Sequence, residues 1–335
     1  MKIFDNISLL PYNTFGIDVP ARRMVEIESA DDAALLTDPT FQLLPYLILG
    51  GGSNVVFCSP YDGTVVRLAT RDEAVVEEDR VHVSAWGGMV MDRLVEWCIE
   101  RGLYGLENLS AIPGTVGASA VQNVGAYGAE AKDVIERVEA YDLAEKRYVT
   151  FAASECHFGY RHSLFKEHPG RWLVLRVVYR LQREFSPNLL YKALADADAS
   201  TARTLRQAII DLRWSKLPRP EEHGSAGSFF KNPVVEADVY ARLKAAYPDM
   251  PDAHAADGGY KLSAGWLIDR AGWKGRTMGR AGVWPRQALV LYNTGACTGS
   301  EVQSLATAIQ ADVQGRFGVT LVPEAVMVGG VRIEN

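Results

Sequence analysis

Short apolar runs separated by Gly, Pro, Asn and Asp dominate the first two hundred positions of this chain. Runs of this length, bounded by turn-forming residues, are typical of β-strands. We predict strands at 24–27, 46–49, 55–57, 64–68, 81–84, 135–141 and 172–181. Two predicted helices interrupt these strands, at 30–37 and 90–101. The second is predicted because its apolar positions repeat at helical spacing up to Gly102. The pattern indicates the α+β class.

Helical patterns become more frequent after position 200. We predict helices at 201–213, 235–246, 262–271 and 300–317, and a closing apolar strand at 319–328 that could return to an earlier sheet. Pro218 and Pro220 separate a basic helix end from a Gly/Ser-rich loop, which predicts a domain boundary near 216–222.

Composition narrows the class of protein. The 335 residues suggest two to three domains, and a net charge of −6 disfavours a general nucleic-acid binder. The first fifteen residues lack the apolar run of a secretory signal, and no charge-free stretch could span a bilayer, so a cytoplasmic protein without a membrane partner is expected. The Cys and His residues show no metal-ligand spacing, so no metal site is expected.

Two glycine-rich segments are the candidate chemistry. Gly50, Gly51 and Gly52 join two predicted strands; such glycines can bring backbone amides close to a phosphate, although a tight turn is the simpler interpretation of three glycines alone. No G-x-G-x-x-G or Gly-Lys pair is present, which disfavours a Rossmann site and excludes a P-loop. The segment 108–129 is uncharged yet polar, which fits a backbone wrapped around a large ligand or, alternatively, a glycine-rich packing crossover.

Five motifs in order carry a family resemblance. They are Gly-Gly-Gly-Ser-Asn at 50–54, Ile-Pro-Gly-Thr-Val-Gly-Ala at 112–118, Gln-Asn-Val-Gly-Ala-Tyr-Gly at 122–128, Tyr-Arg-His-Ser-Leu-Phe-Lys at 160–166 and Gly-Ser-Phe-Phe-Lys-Asn-Pro at 227–233. Together they resemble the UDP-N-acetylenolpyruvoylglucosamine reductase (MurB) family over nearly the whole chain. Segments 186–195 and 264–269 resemble its longer type I branch.

The resemblance implies a fold and a domain order. The fold would be an α+β FAD-binding fold of the vanillyl-alcohol-oxidase or p-cresol-methylhydroxylase type, with two subdomains, followed by an α+β substrate-binding domain. We expect the FAD-binding subdomains at 1–68 and 69–217, the substrate-binding domain at 218–318, and a terminal strand at 319–335 that returns to the FAD-binding part.

The family also implies the ligand contacts. Non-covalent FAD would be bound by Gly50, Gly51, Gly52, Ser53, Asn54, Ile112, Pro113, Gly114, Thr115, Gly117, Ala118, Gln122, Asn123, Gly125, Ala126, Tyr127, Gly128 and Arg213. The UDP-sugar would be bound by Tyr191, Lys216, Asn232, Lys274 and Gln287. Val326 departs from the family pattern, because relatives often carry a basic residue there, and one flavin-phosphate contact is therefore in question. Positions 261–286 hold six basic residues against Asp269 alone, a local excess that could attract a diphosphate.

The reaction implied by the resemblance is an NADPH-dependent, FAD-mediated reduction of UDP-N-acetylglucosamine enolpyruvate to UDP-N-acetylmuramate, in peptidoglycan precursor synthesis. Arg161 and Glu324 would stabilise the intermediate and Ser228 would protonate it. From the residues alone, Arg161 could be a surface charge, Ser228 a turn or cap residue, and Glu324 a strand end. The alternatives are another FAD oxidoreductase of the same fold and a non-catalytic nucleotide-sugar binder. A monomer is expected.

Overall fold

The computed structural model describes residues 1–37, 45–256 and 258–330, except for the side chains of 254–256. The last five positions of the predicted 319–335 segment lie outside the described residues. The chain divides into two compact units. Unit 1 comprises Met1–Ile7, Ala21–Gly51 and Asp62–Arg213, and unit 2 comprises Ser8–Pro20, Gly52–Tyr61 and Trp214–Asn335.

Most strands are short. They are β1 Lys2–Ser8, β2 Pro20–Ile27, β3 Tyr46–Ile48, β4 Val55–Phe57, β5 Tyr61–Leu68, β6 Ala74–Val76, β7 His82–Trp86, β8 Gly125–Ala126, β9 Ala129–Glu130, β10 Ile135–Asp142, β11 Arg147–Ala152, β12 Trp172–Arg180, β13 Ser225–Ser228, β14 Val234–Val235, β15 His254–Ala256, β16 Gly259–Lys261, β17 Thr277–Met278, β18 Ala281–Val283, β19 Val290–Asn293 and β20 Val326–Val328. The helices are α1 Asp32–Leu35, α2 Met91–Glu100, α3 Val116–Gln122, α4 Leu164–Glu167, α5 Ala202–Lys216, α6 Ala237–Ala246, α7 Ala264–Arg270 and α8 Gly299–Phe317.

Unit 1 contains two larger sheets. One has the order β1-β2-β5-β3, with β3 parallel to β5, and the other has the antiparallel order β11-β10-β12-β7-β6. Helix α2 is amphipathic and buries its apolar residues Met91, Leu94, Val95, Cys98 and Ile99. Helix α3 lies against β12, where the Cβ that a substituted Gly117 would carry lies 3.2 Å from the carbonyl oxygen of Val174. This close approach explains a glycine inside the helix.

Unit 2 combines a four-stranded sheet, β13-β19-β18-β17, with a three-stranded sheet, β14-β16-β15, and the parallel pair β20-β4. Its core packs Phe229 and Phe230 with the buried face of α8. Thr298 and Glu301 form a capping box at the start of α8, and Gly318 ends it at φ +69°. The capped ends and the buried face therefore stabilise this long helix.

The sequence patterns predicted the longer helices well. The observed α2, α5, α6, α7 and α8 confirm the predicted helices to within three residues at each end. The predicted strand 319–328 is wrong in length, because only 326–328 is a strand, and its partner is β4. Helix α3 was not predicted, since its segment was interpreted as loop backbone. The four predicted domain ranges stay a prediction. Among the described residues, no helix is long and apolar enough to cross a membrane.

Candidate active site

The two glycine-rich segments meet within unit 1. A Cβ on Gly51 would lie 2.7 Å from the Cα of Gly114, and a Cβ on Gly50 would lie 2.8 Å from the Cβ of Ala118. Such distances are too short for real side chains. The 50–51 backbone therefore approaches the 114–118 segment this closely only because positions 50 and 51 are glycine. In the described part of the chain, the amides of Gly50 and Gly51 donate no hydrogen bond to a protein acceptor. Side-chain-free backbone with available amides suits a diphosphate, so these residues fit FAD.

Replacing Gly51 with Ala is expected to weaken FAD binding by about tenfold or more, equivalent to about 1.4 kcal/mol. The new Cβ must displace the backbone of Gly114, which lies 2.7 Å away. Fluorescence titration of the flavin-free protein with FAD measures the effect. Gly315→Ala is the control, because its Cβ meets nothing within 4 Å on α8. Equal FAD affinity in Gly51→Ala and the wild type would contradict this account.

Several predicted FAD residues also perform structural tasks. The Gly117 N–H donates to the carbonyl of Gly87 at 2.8 Å. Gly52 lies in unit 2, where a Cβ would lie 1.9 Å from the carbonyl oxygen of Tyr12. Asn123 is fully buried, ends α3 at φ +43°, and donates from Nδ2 to Gly159 O at 2.8 Å and to Glu130 Oε2 at 3.0 Å. The side chain of Asn123 therefore holds backbone in place, and its assignment as an FAD contact stays a prediction.

Arg161 lies on the loop that Asn123 holds. Its guanidinium donates to the carbonyls of Gly125 at 2.8 Å and Asn123 at 3.4 Å, and its backbone has φ +53°. A Cβ on Gly125 would lie 3.3 Å from Arg161 Nη1, so glycine leaves room for this cation. Lys166 Nζ donates to the Arg161 carbonyl at 3.0 Å. The Arg161 guanidinium is thus oriented by two backbone carbonyls of the second glycine-rich segment.

Tyr127 links the second glycine-rich segment to two other predicted residues of unit 1. The Arg213 guanidinium donates to the Tyr127 hydroxyl, and the Tyr191 ring packs edge-on against the Tyr127 ring at 5.4 Å. Burial lowers the pKa of Arg213, whereas the nearby Tyr127 and Asp92 oppose that shift. An arginine stays charged even so, which suits contact with an anionic cofactor.

Ser228 and Glu324 share a backbone frame in unit 2. Gly227, at φ +67°, lies in an irregularity of the β13–β19 pairing, and the next residue, Ser228, is exposed at the end of β13. The buried Phe229 follows, and its carbonyl accepts the N–H of Glu324 at 2.7 Å. The structure therefore brings the backbones of Ser228 and Glu324 together. Arg161 belongs to unit 1.

Asn54 has a function in this frame that the sequence did not reveal. Its Nδ2 donates to the Glu324 carbonyl at 3.1 Å, and its own carbonyl accepts the N–H of Val326 at 2.9 Å. Val326 is 45% exposed and, as a valine, supplies no charge. Asn54 thus fixes the backbone that carries Glu324, and its predicted FAD contact stays untested.

The four predicted UDP-sugar residues of unit 2 lie at the end of α5 and on three different loops. Asn232 Oδ1 accepts the N–H of Ala264 at the start of α7 at 3.0 Å, and Gln287 Oε1 accepts the N–H of Leu289 at 3.3 Å. Lys274 pairs with Asp269 at 2.8 Å. Lys216 is the last residue of α5. Exposed pairs like that of Lys274 are weak, so this ammonium group can exchange its partner for a ligand phosphate.

The local basic excess at 261–286 is smaller in the structure than in the sequence. Arg280 pairs with Glu301 at 3.4 Å, and Arg270 lies 3.9 Å from Asp249. Both carboxylates lie outside the counted range. The attraction of this segment for a diphosphate is therefore weaker than its composition alone suggests.

Sequence reasoning missed Asn108, which ties two segments of unit 1 together. Only 3% of this residue is exposed, and its Nδ2 donates to the carbonyls of Tyr127 at 2.7 Å and Asn188 at 2.9 Å. The sequence showed only that Asn108 is a polar residue within an uncharged segment. It could not identify the hydrogen-bond partners of Asn108, which lie 19 and 80 positions away.

Two family models match this chain. Residues 22–151 match the model of an FAD binding domain, and residues 219–328 match the model of the UDP-N-acetylenolpyruvoylglucosamine reductase C-terminal domain. With the glycine-rich backbone site of unit 1, the first match indicates flavin binding and the second a reductase, so the two together define the class: this is a flavin-binding oxidoreductase.

Similar proteins specify the family. The UDP-N-acetylenolpyruvoylglucosamine reductase of Pseudomonas aeruginosa is 46% identical and aligns over 97% of this chain and 98% of its own length. That of Burkholderia ambifaria (strain MC40-6) is 47% identical over 96% and 97%. The chain therefore belongs to the UDP-N-acetylenolpyruvoylglucosamine reductase family. The crystal structure of the Thermus caldophilus reductase aligns with a TM-score of 0.68 at 24% identity, covering 98% of both chains, which supports the shared fold.

These findings confirm the predicted family, the α+β FAD-binding fold class and the FAD cofactor. The assignment of individual residues to FAD, substrate and catalysis stays a prediction.

Proposed function

We propose that this chain reduces UDP-N-acetylglucosamine enolpyruvate to UDP-N-acetylmuramate with electrons from NADPH, as a cytoplasmic monomer in peptidoglycan precursor synthesis. The observation that carries the proposal is the backbone frame of Ser228 and Glu324, in a chain 46% identical to a reductase of that name over 97% of its length. An exposed hydroxyl and a half-buried carboxylate, carried by backbone that a hydrogen bond ties together, suit proton delivery to a bound substrate.

The protein's own groups would manage the charge and the proton. Bound FAD, once reduced by NADPH, would supply the hydride to the terminal alkene carbon of the enolpyruvyl group. Negative charge then develops beside the substrate carboxylate, where the Arg161 guanidinium would bind it with charge-assisted hydrogen bonds. Glu324 would stabilise the same intermediate by polarising the groups around it. Ser228 would donate its hydroxyl proton to the carbon next to the carboxylate and complete the lactyl ether.

Substrate binding would use the remaining predicted residues. Lys216 and Lys274 are cations suited to the diphosphate, and Asn232 and Gln287 are amides suited to sugar or base hydroxyls and carbonyls. Tyr191, 39% exposed and packed edge-on against Tyr127, would offer a ring face or hydroxyl to the same ligand.

NADPH and the UDP-sugar would use the flavin in turn, because the sequence contains no second dinucleotide-binding motif. Initial rates of NADPH oxidation by the purified protein, measured at several concentrations of both substrates, test this proposal. Parallel reciprocal plots are expected, together with a flavin spectrum. Intersecting plots would indicate a ternary complex and contradict alternating use.

The same preparation separates the two alternative functions. A non-catalytic nucleotide-sugar binder would bind the UDP-sugar without oxidising NADPH. Another FAD oxidoreductase of the same fold would bind flavin, yet its NADPH oxidation would not depend on UDP-N-acetylglucosamine enolpyruvate.

A further inference from the structure

A part-buried ion pair of unit 1 lies next to the start of the predicted flavin segment. Asp92, in the first turn of α2, accepts two hydrogen bonds from the Arg206 guanidinium, one to each carboxylate oxygen, the second at 2.9 Å. The Arg206 side chain is 15% exposed and that of Asp92 30%. Arg206 lies between the ranges that match the two family models, 22–151 and 219–328. A bidentate pair of this kind fixes both side chains.

The same carboxylate also holds backbone. Asp92 Oδ1 accepts the N–H of Ala111 at 2.6 Å, and Ala111 has φ +57°, a left-handed conformation that alanine rarely adopts. Ile112, Pro113 and Gly114 follow directly, and Gly114 is the residue that meets Gly51. The Asp92 contact therefore stabilises an unfavourable backbone conformation at the entrance to the predicted flavin segment.

Helix α5 connects this pair to a second part of the same glycine-rich segment, 108–129. Arg206 and Arg213 are seven residues apart, two helical turns, so they share one face of α5. Arg206 reaches the 111–114 segment through Asp92, and Arg213 reaches Tyr127 directly. One face of a single helix thus holds two parts of the 108–129 segment, Tyr127 directly and 111–114 through Asp92.

Electrostatics supports a permanently charged pair. Burial acts to raise the pKa of Asp92, but the hydrogen bonds from Arg206 and from the Ala111 amide, with the charges of Arg206 and Arg213, hold it below its usual value. Asp92 therefore remains a carboxylate, the strongest acceptor for the Ala111 amide.

We propose that Asp92 and Arg206 are positioning residues that hold the 111–114 segment, through the Ala111 amide, in the conformation that binds the flavin diphosphate. This inference rests on the proposed function in one respect: it assumes that residues of the 112–118 segment contact the flavin. Neither residue contacts the cofactor in this scheme, and both act on the FAD dissociation constant through the backbone of the segment.

The test compares two substitutions at one position. Asp92→Asn keeps an oxygen for the Ala111 amide but removes the charge, whereas Asp92→Ala removes both. We expect the FAD dissociation constant of the flavin-free protein, titrated by fluorescence well below its melting temperature, to rise about tenfold or more in Asp92→Ala. A smaller rise is expected in Asp92→Asn, and Arg206→Lys should resemble Asp92→Asn.

Asp142→Asn is a matched control in unit 1. Asp142 also accepts a guanidinium, that of Arg171 at 3.0 Å, and a backbone amide, that of Ala144 at 3.0 Å. Its substitution should lower the melting temperature without changing FAD affinity. Unchanged FAD affinity in Asp92→Ala would overturn the inference; if that variant does not fold, unchanged affinity in both Asp92→Asn and Arg206→Lys would do so. A wild-type protein that binds FAD but does not turn over would overturn the proposed function alone.

Discussion

Ser228→Ala is expected to slow reduction of UDP-N-acetylglucosamine enolpyruvate by about 10²- to 10⁴-fold, the usual contribution of a positioned general acid. The hydroxyl is exposed at the end of β13, and the adjacent Phe229 is buried and hydrogen-bonded to Leu289 and Glu324. Removing one oxygen from this position should leave the frame and the bound flavin unchanged. Stopped-flow measurement of the two half-reactions should show normal flavin reduction by NADPH and slow reoxidation by the UDP-sugar.

Ser225→Ala provides the control within the same strand. Ser225 contributes its backbone N–H and carbonyl to contacts with Thr14, so loss of its hydroxyl should leave both half-reactions unchanged. Normal reoxidation in Ser228→Ala, with flavin still bound, would contradict the assignment of Ser228 as the proton donor.

Arg161→Lys is expected to lower kcat/KM for the UDP-sugar by about 10- to 150-fold, because one charge-assisted hydrogen bond contributes about 1.5–3 kcal/mol. The guanidinium is planar and held by the carbonyls of Gly125 and Asn123. An ammonium group cannot keep those contacts and also bind a carboxylate with two parallel bonds. The reduction of flavin by NADPH should be unaffected.

The control for exchanging a guanidinium for an ammonium group is Arg147, an exposed residue of β11. Arg147→Lys should have wild-type kinetics in both half-reactions. An Arg161→Lys enzyme with wild-type kcat/KM would show that the guanidinium does not bind the substrate carboxylate.

Periodicity predicted those elements whose stability comes from one buried face. Helix α2 buries five apolar residues at helical spacing, so its existence is visible in the sequence. Helix α3 has only seven residues and includes Gly117 and Ser119, which are poor helix formers. Its stability comes from a Thr115 cap and packing on β12, which sequence patterns do not show.

The motifs located the candidate site but not the contacts that build it. Ser228 and Glu324 are 96 positions apart, and only the hydrogen bond from the Glu324 N–H to the carbonyl of Phe229, the neighbour of Ser228, shows that they share a frame. Asn54 was expected to contact FAD, yet its amide holds the Glu324 carbonyl. Asp92 and Arg206 have the sequence context of ordinary helix-surface charges. Long-range hydrogen bonds of this kind depend on the fold, which no local spacing encodes.

One measurement tests the central claim most directly. The purified protein is reduced anaerobically with one equivalent of NADPH and then mixed with UDP-N-acetylglucosamine enolpyruvate while the flavin absorbance is followed. The account predicts complete return of the oxidised flavin spectrum, with one UDP-N-acetylmuramate formed per flavin. A protein without bound flavin, or a reduced flavin that the UDP-sugar does not reoxidise, would contradict it.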